Sequence, residues 1–176
     1  MVNTFLPIPS YEKSLACLDY RRLGKQRVEA YQILNILTYE STGKWLKEPN
    51  VNSKRLGWIN HPATRMWRGH TGALQEYMNC SILEWIKRGY NNTMLIYDVH
   101  KNLDKPSWFG DEKFHASHRS NLLRKNKDFY GLYGWSEPDD LPYVWPVPPQ
   151  DKNIYSFSKI SKHDNLPYMW LQIQKE

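Results

Sequence analysis

Apolar residues recur at helical spacing along two long stretches of the chain. From Tyr20 to about Tyr39, the residues Leu23, Ala30, Leu34 and Leu37 fall on one face of a helix. Between Gly72 and Gly89, Leu74, Met78, Ile82, Trp85 and Ile86 do the same. Asp19 is placed to cap the first helix, because a short polar side chain accepts bonds from the free amides of a first turn. Ser10 does the same for a short helix through about Leu18. Gly89 after Lys87-Arg88 stops the second long helix. Pro62 suits the first turn of a further helix, with Asn60 or His61 as its cap and with Gly69 and Gly72 bending or interrupting it. Ser117 or Ser120 opens a basic helix through about Lys127, and Thr93 to Val99 reads as a short strand or another helical turn. Pro7 and Pro9 make the residues before Ser10 an extended arm. Gly43, Pro49 and Asn52 mark a loop. From Glu137 onward Pro138, Pro142, Pro146, Pro148 and Pro149 deny regular structure. The expected fold is mainly α: a single compact helical domain over residues 1–176, with a core at 1–135 and an irregular, proline- and aromatic-rich C-terminal wrap at 136–176.

Composition narrows the class. With 176 residues, 40% hydrophobic and 24% charged, the chain is globular rather than disordered or fibrous. No apolar run is long enough for a bilayer, and Met1 to Phe5 lacks the character of a signal peptide. Cys17 and Cys80 are too few and too far apart for a disulfide framework. An intracellular, soluble, monomeric protein without membrane contact is expected. Two values stand out: 14% aromatic residues, including 8 Trp and 12 Tyr, and a net charge of +6. Bases stack on flat rings and phosphates sit on cations, so nucleic acid is the partner to consider. An aromatic core beneath a basic surface gives the same composition.

The polar side of the long helix carries the most chemistry. Arg22, Gln26 and Glu29 line up at i, i+4 and i+7, bordering the apolar stripe. One reading is an amphipathic helix in which Glu29 pairs with Arg22 or another base. The other is a single carboxylate at a cleft rim, ringed by Arg21, Arg22, Lys25 and Arg27. Such a ring holds a phosphate backbone beside a proton-transfer group. Arg27 falls on the apolar stripe itself, where it must snorkel, pair with an acid or line a cleft.

Two more clusters follow. His61, Arg65, Trp67 and Arg68 gather at a helix start, where phosphate is attracted and Trp67 either stacks on a base or joins the core. His115, His118, Arg119, Asn121 and Arg124 belong to a run with several bases and no acid, read as a phosphate-binding helix. Zinc on His115 and His118 lacks its remaining ligands, so no metal and no cofactor is expected. Tyr143-Val144-Trp145-Pro146 and Tyr168-Met169-Trp170 read as packing over the core. Phosphate-loop, dinucleotide, hydrolase-elbow and zinc-protease signatures are all missing.

Several motifs taken in order resemble a known family. Leu23…Glu29, His61 opening a helix that runs to Ile82…Trp85-Ile86-Lys87-Arg88-Gly89-Tyr90, then Gly110-Asp111…His115-Ala116-Ser117 and Phe129-Tyr130-Gly131-Leu132-Tyr133-Gly134 are similar to the pyrimidine-dimer DNA glycosylases of the endonuclease V type. Uncharacterised bacterial and phage relatives of that family share Thr4-Phe5-Leu6-Pro7, Leu23-Gly24-Lys25-Gln26-Arg27-Val28-Glu29, His118-Arg119-Ser120-Asn121-Leu122-Leu123 and Pro142-Tyr143-Val144-Trp145-Pro146.

The resemblance implies an all-helical domain with the N-terminus threaded among the helices. It also implies a main-chain amine as nucleophile, here that of Val2 once Met1 is removed, and a catalytic glutamate, here Glu29. Arg22, Lys25, Gln26 and Arg27 would surround the flipped nucleotide, while Arg65, Arg68, Arg119 and Arg124 would hold the duplex. The implied activity is a DNA glycosylase with AP-lyase action on a damaged or modified pyrimidine in double-stranded DNA. Val2-Asn3 stands where the family begins Thr-Arg, and Val28 stands where it has an arginine before the glutamate. A noncatalytic nucleic-acid-binding module, or an enzyme on a nucleotide or RNA, remains as an alternative.

Overall fold

The Asp19 carboxylate accepts the amides of Arg21 and Arg22 at 3.0 Å each and starts the longest helix of the molecule. The computed structural model describes residues 3–47, 58–99 and 104–147. Among these, α1 spans Tyr11–Ala16, α2 Tyr20–Thr42, α3 Pro62–Arg65, α4 Thr71–Lys87, α5 Glu112–Lys125 and α6 Lys127–Tyr130. A 3₁₀ turn, Gly131–Tyr133, follows α6, and the described residues contain no strand.

Ser10, Asp19 and His61 cap α1, α2 and α3 through their side chains as the sequence predicts. The chain breaks between α3 and α4, where Gly69 has φ +79°. Three expectations need correction. Helix α5 opens at Asp111, whose carboxylate accepts the Lys113 amide, six residues before Ser117 and nine before Ser120. Helix α2 runs one turn beyond Tyr39, to Thr42. Residues 93–99 form neither strand nor helix; the Asn79 side chain bonds to both the N–H and the C=O of Tyr97 and supports them instead. The C-terminal segment Tyr168-Met169-Trp170, and most of the expected wrap, lie outside the described residues.

Helices α2 and α4 pack face to face, with α1 laid across α4. Leu23, Ala30, Leu34 and Leu37 of α2 meet Leu74, Met78 and Ile82 of α4 in one core. Trp67, Tyr77, Phe114 and Tyr130 fill its centre. Among the described residues no helix is long and apolar enough to cross a membrane.

The arm from Asn3 to Pro7 runs through this core, with Thr4 and Leu6 fully buried. An extended segment outside any helix or sheet has unpaired backbone groups, and burying them unpaired is costly. Side chains from elsewhere take up that role. Gln26 accepts the Phe5 N–H at 2.8 Å, and Tyr77 reaches the Phe5 carbonyl at 3.1 Å. His118 Nδ1 accepts the Leu6 N–H at 2.8 Å, and His115 Nδ1 meets the Leu6 carbonyl at 2.7 Å. Arg119 donates to the Pro7 carbonyl at 2.8 Å.

Candidate active site

The head of the arm emerges beside Glu29. The Asn3 amide donates to Glu29 Oε2 at 3.4 Å, and Gln26 Nε2 donates to the same oxygen at 3.2 Å. Gln26 can only present its amine there. Its Oε1 is already taken by the Phe5 N–H at 2.8 Å and the Tyr77 hydroxyl at 2.7 Å. Burial raises the Glu29 carboxyl above the usual range, against the Asn3 amide, Lys25 and Gln26, which lower it. A partly buried carboxyl with a raised pKa is a candidate for proton transfer.

Around it opens a cleft of about 660 Å³ lined by residues from α2, from the arm and from the C-terminal half of the chain. Asn3, Phe5, Gln26, Glu29 and Tyr143 belong to its lining, together with the cations Arg21, Arg22, Lys25, Arg88 and Lys125. Arg21 is exposed and bonds to the Tyr20 hydroxyl at 2.9 Å. Arg22 pairs with Asp19, whose carboxylate also accepts the Tyr130 hydroxyl at 2.7 Å. Arg88 is committed to the fold, donating to the carbonyls of Leu18 and Ala16 at 2.7 and 2.8 Å and so closing the end of α1. Lys25 and Lys125 are exposed and have no ion pair among the described residues. Although Lys125 is exposed as a residue, partial desolvation of its amine, with the charges of Arg22 and Arg124, holds it below its ordinary value. Cations gathered along one cleft attract anions to it.

Among the residues singled out in the sequence, Arg21, Arg22, Lys25, Gln26 and Glu29 share this cleft, and the others do not line it. Trp67 is fully buried with its indole N–H on the Thr4 hydroxyl at 2.9 Å, so it presents no face to a base. His115 and His118 are fully buried around Leu6, and Arg119 is held by Glu112, Glu137 and the arm. Asn121 is buried and bonds to the carbonyls of Ser117 and Leu141. Arg68 pairs with Glu40 at 2.7 Å and reaches the Ile59 carbonyl. His61 caps α3 and meets Trp145 edge-on. Arg65 is half-buried on α3. Arg124 is exposed near the cleft and bonds to Asn121. Arg27 lies over Trp85, its Cζ 3.9 Å from the ring centre, which is how an arginine tolerates the apolar stripe. Val2 lies outside the described residues.

The sequence reading missed Asn3, Phe5, Tyr143, Asn126 and Phe129 as cleft residues. Tyr143 stands in a proline-rich segment whose aromatic character equally fits core packing, and nothing in the local pattern around Asn3 marks it. Burial pushes the thiols of Cys17 and Cys80 up to about 12, which leaves neither as a thiolate nucleophile at neutral pH. Among the described residues no group of three or more His, Cys, Asp or Glu is arranged to hold a metal.

Fold and site together define an all-helical protein with a cationic cleft built around one partly buried glutamate. A family model described as pyrimidine dimer DNA glycosylase matches residues 2–98, more than half the chain, and the chain belongs to that family. The matched span holds α1 to α4 and therefore Gln26 and Glu29; α5, α6 and Tyr143 lie beyond it. Membership implies a glycosylase whose substrate is damaged DNA. No curated protein and no solved structure gives a significant match.

Proposed function

We propose that the protein removes a damaged or modified pyrimidine from duplex DNA, with a cyclobutane pyrimidine dimer as the default substrate. The nucleophile is the main-chain amine of Val2, freed by removal of Met1, and Glu29 is the acid–base group. The observation that carries this reading is the contact between the Asn3 amide and Glu29 at 3.4 Å. It brings the start of the described arm and the carboxyl into one cationic cleft, which supports a nucleophile one residue earlier in the chain.

The chemistry follows from the groups. An α-amine has a pKa near 8, about two units below lysine, so a larger fraction is neutral at pH 7. The amine nitrogen forms a bond to C1′ while the bond from C1′ to the base breaks. The base leaves with that electron pair and takes up a proton. The amine gives its proton to Glu29, which passes it to the ring oxygen as the C1′–O4′ bond breaks, and a Schiff base results. Loss of a 2′ proton then expels the 3′ phosphate, which is AP-lyase cleavage. Arg21, Arg22, Lys25 and Lys125 hold the phosphates on either side, and no metal or organic cofactor enters any step. The target, or the base opposite it, leaves the stack at a cost of a few kcal/mol, less where the lesion has already weakened pairing.

Borohydride trapping on a duplex panel tests this reading. The panel holds a thymine dimer, an abasic site, uracil, hydroxymethylated pyrimidines and an undamaged control. A covalent adduct lost in Glu29→Gln and on blocking the N-terminus is expected. Base release without an adduct would point to water as nucleophile. Salt-sensitive binding without release would leave a noncatalytic binding module.

A further inference from the structure

The Asn3 side chain is 3% exposed, and neither Oδ1 nor Nδ2 has a hydrogen-bond partner among the described residues. Its main-chain N–H donates to Glu29, and among the described residues no group meets its carboxamide with hydrogen-bond geometry. A buried amide left unpaired is a standing cost, and native proteins rarely keep one without a use. Asn3 lines the cleft, as does Tyr143. The Tyr143 phenol is near enough to feel the carboxamide but forms no bond of hydrogen-bonding geometry with it.

Tyr143 itself is placed with care. Its ring rests against Phe5 at 6.5 Å, His118 at 5.7 Å and Trp145 at 5.2 Å between centroids. The strap that carries it has no helical bonds. Ser120 Oγ accepts the Leu141 N–H at 3.0 Å, Ser117 Oγ accepts the Val144 N–H at 3.2 Å, and Asn121 donates to the Leu141 carbonyl at 3.2 Å. The strap is therefore pinned on both sides of Tyr143, and the ring between the pins takes no part in those bonds, so a change of its rotamer leaves them intact.

We propose that the Asn3 carboxamide and the Tyr143 ring form a base-reading subsite that takes one extrahelical base offering an adjacent hydrogen-bond donor and acceptor. The proposal rests on the glycosylase reading given above and adds how the base is recognised. A carboxamide presents one acceptor and two donors, which matches the paired donor and acceptor on a base edge. An aromatic face beside it supplies stacking. Tyr143 turns aside to uncover Asn3 and then stacks on the incoming base. Because the Asn3 main chain touches Glu29, the base is read directly beside the reacting sugar. The base edge comes either from the lesion strand or from the orphan opposite it.

The test is equilibrium binding of the full chain to four duplexes. One is undamaged. One carries a 2′-fluorinated deoxyuridine mispair, which resists base release. One has a tetrahydrofuran abasic analogue opposite adenine, and the last has that analogue in both strands and so offers no base. Wild type is expected to prefer the second or the third duplex over the last by about tenfold or more. Preference for the second identifies the lesion-strand base, and preference for the third identifies the orphan. In Asn3→Ala, which keeps the main-chain bond to Glu29, that preference falls to within about threefold. Tyr143→Phe keeps it and Tyr143→Leu loses it, which provides a check should Asn3→Ala fail to fold. The proposal is overturned if wild type does not distinguish these duplexes, or if Asn3→Ala and Tyr143→Leu both retain the wild-type preference. Absence of base release by wild type on every cleavable duplex of the trapping panel would defeat the glycosylase reading instead, whatever the binding ratios.

Discussion

Tyr77 and Gln26, 51 residues apart in the chain, meet in the core with the Tyr77 hydroxyl 2.7 Å from Gln26 Oε1. Tyr77 is fully buried, and the same hydroxyl lies 3.1 Å from the Phe5 carbonyl. One tyrosine thus ties the arm to the helix that carries the candidate catalytic carboxyl. It also holds Gln26 with its amine turned toward Glu29. The order from core to cleft is Tyr77, Gln26, Glu29, and it gives the proposed acid–base group a rigid support.

Removing that support shifts a pH profile in a definite direction. A bond from Gln26 to the ionised Glu29 favours the charged form and lowers its pKa. In Tyr77→Phe the grip on Gln26 weakens and the Glu29 pKa rises. The acid limb of the kcat/KM profile then moves to higher pH, and stability falls by about 1 kcal/mol for the lost hydroxyl. A fall in Tm with an unmoved acid limb would make Tyr77 a structural residue only.

Glu29→Gln keeps the size of the side chain and an oxygen acceptor for the Asn3 amide. Base release on a cleavable duplex is expected to drop by about a hundredfold or more, the usual contribution of a general acid–base group. Affinity for the same duplex changes little, since the phosphate contacts come from other residues. Single-turnover kinetics together with a binding titration check both halves.

The cations divide by where the fold has placed them. Lys25→Ala and Lys125→Ala each lower the slope of log K against log salt by about 1, the signature of a lost phosphate contact. Arg119→Ala and Arg68→Ala leave the slope in place and lower Tm by several degrees, because each strands a partner inside the molecule: Glu137 and the Pro7 carbonyl for Arg119, Glu40 and the Ile59 carbonyl for Arg68. Salt titration and thermal melts of the four variants distinguish the two groups.

Acid loosens the arm. His118 accepts the Leu6 N–H through Nδ1 and so must be neutral, and burial, with His115 nearby, pushes its pKa down to about 3. The unfolded chain takes up that proton near pH 6.5, so the folded state binds fewer protons than the unfolded one at intermediate pH. Stability is then full above pH 6.5 and declines as the pH falls, by about 2 kcal/mol at pH 5 from this residue alone. Urea midpoints at pH 7 and pH 5 measure the loss. His118→Gln, which keeps an acceptor without a titrating ring, is expected to reduce the difference.

The sequence by itself determined the helices that have strong local signals. Caps at Ser10, Asp19 and His61, and the apolar stripes of α2 and α4, act over a few residues and were readable for that reason. The row Arg22, Gln26, Glu29 was readable too, since helical spacing alone puts those side chains on one face, and they do line one cleft. The division of labour among the other polar residues was decided only by the tertiary structure. His115, His118, Arg119 and Trp67 resemble a nucleic-acid surface as a sequence, yet they hold or pack against an extended arm. A buried extended segment outside any helix or sheet must find its hydrogen bonds among side chains remote in sequence, as Leu6 does with His118 at a separation of 112 residues. No local pattern encodes such a pairing. Asn3 and Tyr143 reach the cleft in the same way, brought there by the path of the arm and by the serines of α5 that pin the strap.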